Sequence, residues 1–331
     1  MKSEVDQMEI GQRFLAQLEE TGQYFVNYQD GILIELAFDA TVGKQSPAFS
    51  DLEHTAAYLE EHLRSHQTQA LLLASKIHAY DASPVERITQ MISIHSFFST
   101  HRLVHPLNAY STALLISRLE ATDPQLQRTV ELYQLAKKSH RFIVSPLLVS
   151  FLFLNALRRG EMSMIHARIE ATYDILKKRF GRSQQTYVTA LLLALLPEDD
   201  QATYIEQVVQ SRNLYRKHGI PLSFHGLLAL LGDPRMHQAA LEGLANQFRN
   251  TPHFKYRKDL VFLTAVRLYL ADHPTLHQLF APFSPSTLDD TSSLLPFYLF
   301  PVDLTDTSHA TDGGMADGGF DGGDGGGGGG D

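Results

Sequence analysis

Between Thr189 and Leu196 the chain reads TALLLALL. A helix of that composition is apolar nearly all round, so it needs cover on several sides that one partner helix cannot give. The same kind of segment recurs as QALLLASKI from Gln69, STALLISRL from Ser111, VSFLFLNAL from Val149, HGLLALLG from His225 and VFLTAVRLYLA from Val261. Successive starts lie 42, 38, 40, 36 and 36 residues apart. A helix–turn–helix unit stacked on copies of itself gives such a recurrence, because each unit buries its open face on the next. These segments are read as an inner layer.

The intervening stretches are longer and amphipathic. In 161–181, Met164, Ile165, Ile169, Tyr173, Ile175 and Leu176 approximate one helical stripe, and Glu170, Asp174, Lys177 and Lys178 face out. Start signals fall at the same period. Ser83-Pro84-Val85-Glu86 reads as a capping box, and Asp123-Pro124 and Asp233-Pro234 as caps followed by proline. Ser50/Asp51 and Asp199/Asp200 can serve likewise, so starts are expected near 50, 83, 123, 161, 199, 233 and 272. Gly31–Phe38, GILIELAF, is the one arguable strand and is read as helix. The expected fold is all-α: a right-handed α-solenoid-like array of about six helix–turn–helix hairpins, with a period of roughly 38 residues. The array should occupy 1–280. A proline- and aromatic-rich segment, 281–303, is expected to cap it, and the Gly/Asp-rich 304–331 to be disordered.

Of the 331 residues, 28 are Lys or Arg and 37 are Asp or Glu, a formal charge of -9. Five of the acids lie in 312–331, where no base occurs, leaving -4 for the rest. That balance argues against a dedicated nucleic-acid binder. With no cysteine, disulfides, thiolate metal sites and cysteine nucleophiles are excluded. The first twenty residues are charged and amphipathic, unlike a signal peptide. The longest apolar run, Pro146–Leu157, is twelve residues, too short to cross a bilayer. A cytoplasmic location with no membrane partner is expected.

No motif for catalysis, a metal or a cofactor emerges. His62/His66, His101/His105 and His273/His277 are spaced i, i+4, yet none encloses the glutamate of a zincin pair. Val42-Gly43-Lys44-Gln45-Ser46 lacks the first glycine of a phosphate loop, since position 38 is Phe38. There is no G-x-S-x-G nucleophile elbow.

One polar feature does follow the repeat: the amphipathic helices end in bases. These are Arg64, Arg102, Lys137-Lys138-Ser139-His140-Arg141, Lys177-Lys178-Arg179 with Arg182, Arg216-Lys217-His218 and, more weakly, Arg249. Cations there complement the helix dipole, worth about 0.3–1 kcal/mol each. A regular stack would also bring them onto one edge. The reading is a non-catalytic interaction or scaffold module whose basic edge takes a protein or peptide, an acidic one by charge. Its binding residues would be Arg102, Lys137, Lys138, His140, Arg141, Lys177, Lys178, Arg179, Arg182, Arg216 and Lys217. The acidic tail could screen the same edge. The alternative is an enzyme or small-ligand protein with a pocket built on His95, His101, His105 and His140.

The stretches FFSTHRLVHPLNAYSTALL (97–115), ELYQLAKKSHRFIVSPLLVSFLFL (131–154) and YDILKKRFGRSQQTYVTALLLALL (173–196), with the Gly/Asp tail, resemble a family of unknown function from Bacillus-type bacteria. The resemblance implies a cytosolic, all-helical protein and transfers no catalytic residue.

Overall fold

A computed structural model describes residues 4–276, apart from 46, 64–65, 82, 106–107, 197–199, 272 and 274. The expected capping segment, the tail and the helix start at 272 fall outside the described residues. Among the described residues the chain forms helices and turns with no strand, so the fold is all-α.

Among the described residues seven hairpins follow one another. The outer helices are α1 (Glu4–Tyr24), α3 (Phe49–Leu63), α5 (Pro84–Thr100), α7 (Asp123–Ser139), α9 (Met162–Phe180), α11 (Gln201–Leu214) and α13 (Gln238–Phe248). Each returns through a turn into an inner helix: α2 (Asp30–Val42), α4 (Gln67–Tyr80), α6 (Ala109–Arg118), α8 (Val149–Ala156), α10 (Gln184–Leu193), α12 (Leu222–Ala229) and α14 (Lys258–Ala271). The count is seven rather than six because α2 is an inner helix too. Its leucine signature is broken by Glu35 and Asp39, both buried.

Burial follows the sequence pattern. Every residue of α10 from Thr186 to Leu193 is buried, and every residue of α8. Each leucine so enclosed contributes about 1.5–3 kcal/mol relative to exposure. In α9 the buried stripe is Met162, Ile165, Ile169, Thr172, Tyr173 and Leu176. Met164 and Ile175, expected in that stripe, face solvent, each a step of about 100° off the packed face. The caps differ in detail. At α5 the Ser83 side chain forms no cap hydrogen bond. At α7 the cap is Thr122 rather than Asp123, its N–H donating to Gln125 Oε1 at 2.8 Å.

Side chains tie the inner helices together in chain order. At their N-terminal ends, Asn108 Nδ2 donates to Leu147 O (3.4 Å), Gln184 Nε2 to Ser145 Oγ (2.9 Å) and Ser223 Oγ to Gln185 Oε1 (3.0 Å). Near their C-terminal ends, Arg118 Nη2 donates to Lys76 O (2.8 Å), Asn155 Nδ2 to Leu191 O (3.0 Å) and Arg158 Nη1 to Ala194 O (2.6 Å). The inner helices therefore stand level and point the same way, so the turns that enter them share one end of the molecule.

The array closes on itself. Phe14 of α1 packs its ring 5.1 Å from that of Phe248 and 6.4 Å from that of Phe254. His253 Nδ1 meets Asp30 Oδ1 at 2.7 Å. Arg267 of α14 makes a two-pronged ion pair with Glu35 of α2, Nη1 to Oε1 and Nη2 to Oε2, both residues buried. First and last hairpins are thus neighbours, and the seven units form a ring.

Candidate functional site

The turns from outer to inner helix form one end of this ring, and its charge is set by sequence. No Asp or Glu occurs in 87–119, 132–160, 175–197, 207–232 or 243–258. These five windows each contain such a turn, and their hairpins are consecutive. The first four windows run to the start of the next outer helix, whereas the fifth ends at exposed Asp259 in the first turn of α14. Acids collect instead at the opposite end, at Asp81, Glu120, Asp123, Glu161, Asp200 and Asp233. The arc is incomplete: α3 carries exposed Glu60 and Glu61 in its last turn.

The expected binding residues divide between this face and their own partners. Arg102, Lys138, Arg141, Lys178, Arg182 and Arg216 are exposed around the turns. Lys137 is half-buried and donates to Val144 O at 2.5 Å, closing its own turn. Lys177 pairs with Asp174 (2.6 Å), Arg179 with Glu206 (2.9 Å) and Lys217 with Glu242 (3.1 Å). These three pairs are solvent-exposed and add little stability, but they spend cationic charge locally. Arg64 lies outside the described residues.

Two aromatics stand out on the same end. Phe142 is 96% exposed with the Arg141 guanidinium 5.9 Å from its ring centroid. Tyr256 is 78% exposed with Lys255 Nζ 5.1 Å from its ring. The 249–257 turn, with Arg249, Lys255 and Arg257, belongs to the face, and sequence reasoning reached only Arg249 there. The absence of acids from 243–258 was the signal that could have found it.

His140 is not on the surface. It caps α7, is buried, and its Nε2 lies 2.5 Å from Glu170 Oε2. Glu170 Oε1 lies 3.3 Å from His166 Nε2 and accepts from Tyr187 OH at 3.1 Å. Burial pushes the Glu170 pKa up, but hydrogen bonds from His166 and His140 outweigh it and hold the carboxyl below its ordinary range. Burial drives the Tyr187 phenol far upward, with Glu170 adding to it. The cluster is an ionised carboxylate that holds His140 at the start of the turn after α7. Only the i, i+4 pair His166/Glu170 was visible locally, because His140 is 30 residues from Glu170.

Three histidines of the alternative pocket, His95, His101 and His140, have separate partners. His95 stacks on Tyr110 at 4.2 Å, and His101 Nδ1 contacts Phe97 O at 2.9 Å. A cleft of about 530 Å³ beside α11 is lined by Glu206, Gln207, Gln210, Asp233 and Arg235 among others, and by no histidine. Among the described residues no group of three or more His, Asp or Glu is placed to hold a metal ion, and no helix is long and apolar enough to cross a membrane.

A second polar cluster lies near the opposite end. Lys76 Nζ bridges Asp39 Oδ1 (3.0 Å) and Glu35 Oε2 (3.8 Å), and Asp81 takes Arg118 Nη2 (2.5 Å) and Arg87 Nε (2.8 Å). Burial raises the Asp39 pKa against the pull of Lys76. Burial likewise pushes Glu35 up, but Arg267 and Lys76 overcome it and leave Glu35 lowered. These charges are spent on joining helices.

A family model described as a protein of unknown function, DUF4003, matches residues 62–281. The chain belongs to this family. The DUF4003 stretch runs from the last turn of α3 past α14 and so includes all five acid-free turns, while α1, α2 and residues 282–331 lie outside it. The family's own description assigns it no activity. No curated protein and no solved structure matches the chain.

Proposed function

We propose that this protein is a non-catalytic interaction module whose basic end receives an acidic segment of a protein partner. The observation that carries the reading is the run of five consecutive acid-free turns on one end of the ring. A regular helical scaffold presents such turns side by side. Dipole compensation accounts for cations within the last helical turn, where the effect decays. It does not account for Arg102, Arg141 and Arg182, which lie past the helix ends. Exposed Phe142 and Tyr256 add apolar area between those charges, as contact surfaces that exclude water often do.

The test is an anisotropy titration of a fluorescein-labelled deca-aspartate peptide at low salt. Reversing Lys138, Arg141, Lys178 and Arg182 to Glu should weaken binding on the order of tenfold or more, mainly through slower association. Reversing exposed Arg159, at the other end, should leave it unchanged. Equal losses from both reversals would defeat the proposal.

A further inference from the structure

The formal charge of -9 is not spread over the molecule. Residues 1–280 hold all 28 Lys and Arg and 28 of the 37 acids, so their formal charge is zero. Residues 281–331 hold the other nine acids, all Asp, and no Lys or Arg follows Arg267. Seven of them, at 303, 306, 312, 317, 321, 324 and 331, fall in the last 29 residues. A neutral ring with one basic end is thus joined to a strongly anionic segment.

We infer that residues 303–331 occupy the basic end when no partner is bound, and that the partner competes with them. This rests on the reading of the basic end as a docking face. Charge selects the destination. The chain leaves α14 at the end opposite the turns, where Asp233 is paired with Arg235 at 2.6 Å and Asp200 and Glu161 are exposed. The other end is where Arg102, Arg141, Arg182 and Arg216 stand exposed.

Length permits it. The inner layer is as tall as α14, whose 14 residues span about 21 Å. From Leu276 to Asp303 the chain has 27 residues, a reach of about 90 Å at full extension. A tethered ligand faces its site at an effective concentration of the order of millimolar. Weak, purely ionic contacts then suffice, and they weaken as salt shortens the screening length below about 8 Å.

Because the chain has no cysteine, Gly326→Cys gives a single attachment point for a spin label on the full chain. Amides of 138–142 and 178–182 should broaden at low salt and recover near 0.5 M, where screening reaches about 4 Å, while those of 119–123 and 158–162 stay sharp. Broadening spread over both ends, or none, overturns the inference. A second arm replaces the seven aspartates by asparagine and titrates the deca-aspartate peptide. Affinity at least about tenfold above that of the unmodified chain is expected. Equal, measurable affinity removes the self-occupied state and leaves the docking face standing. Binding to neither chain removes both.

Discussion

Arg102 occupies a position that favours glycine. The end of α5 is a Schellman turn: Leu103 N–H donates to Phe98 O at 2.9 Å and Arg102 N–H to Ser99 O at 3.0 Å. Arg102 takes the left-handed place with φ +58°, whereas the turn after α11 uses Gly219 (φ +63°). An L side chain there costs about 1–2 kcal/mol, partly returned against glycine by the stiffer unfolded chain. Arg102→Gly should therefore raise stability by up to about 1 kcal/mol, read from the urea midpoint, while weakening deca-aspartate binding. A loss of stability would remove the strain argument. His225 provides the pH test. It is 3% exposed, with Nδ1 2.9 Å from Ser211 Oγ, and burial, aided by Arg212, pulls its pKa down to about 3. The unfolded chain takes the proton near 6.5 while the folded chain stays neutral, so stability falls as pH drops from there toward 3. The slope from this group is about 1.4 kcal/mol per pH unit. His225→Asn keeps an acceptor for Ser211 and does not titrate. Its stability should show a correspondingly flatter pH dependence over that window, and an unchanged slope would refute the assignment.

Among the elements, the inner helices were the most legible in sequence and α2 the least. Leucine-dense runs such as 190–196 can only be interior, so α10 and its counterparts followed from composition alone. The layer of α2 was hidden because Glu35 and Asp39 become acceptable inside only through Arg267 and Lys76, 232 and 37 residues away. The helix termini were legible to within a few residues, but not which side chain caps them, since Thr122 and Ser83 differ in geometry and not in type. The basic turns were legible as charges. Which cations remain available was not, because Lys137, Arg179 and Lys217 are taken by partners supplied by the fold. Gly43 carries an element-scale prediction. In sequence it sits in a phosphate-loop-like string, yet its role is the close approach of α2 to α4. A Cβ there would lie 2.6 Å from Asp39 O, 2.7 Å from Ala79 Cβ and 2.8 Å from Ala79 O. Two of those atoms are backbone and cannot step aside. Gly43→Ala should cost about 1–3 kcal/mol by chemical denaturation, with helix content retained. A neutral or stabilising result would contradict this packing.

At the scale of the whole molecule, closure is what turns a row of hairpins into a face. In an open stack the basic turns would form a strip with unlike ends, and α1 and α14 would each expose an apolar side that needs a cap. In the ring, each terminal hairpin caps the other through Phe14, Phe248 and Phe254 in one layer and Glu35 and Arg267 in the next. None of this was visible in the periodicity, which describes neighbours in sequence and is silent on residues more than two hundred positions apart. The face that gathers five acid-free turns on one end of a closed array is the basis of the docking role proposed for this member of the DUF4003 family. Closure can be tested directly, again because the chain has no cysteine. Gly11 of α1 lies against Gln247 of α13. In a Gly11→Cys/Gln247→Cys variant, mild oxidation of dilute protein should form an intramolecular disulfide in nearly every molecule without loss of helix, seen as faster migration on a non-reducing gel. Thiols that stay free, or that link only between molecules, would contradict the ring.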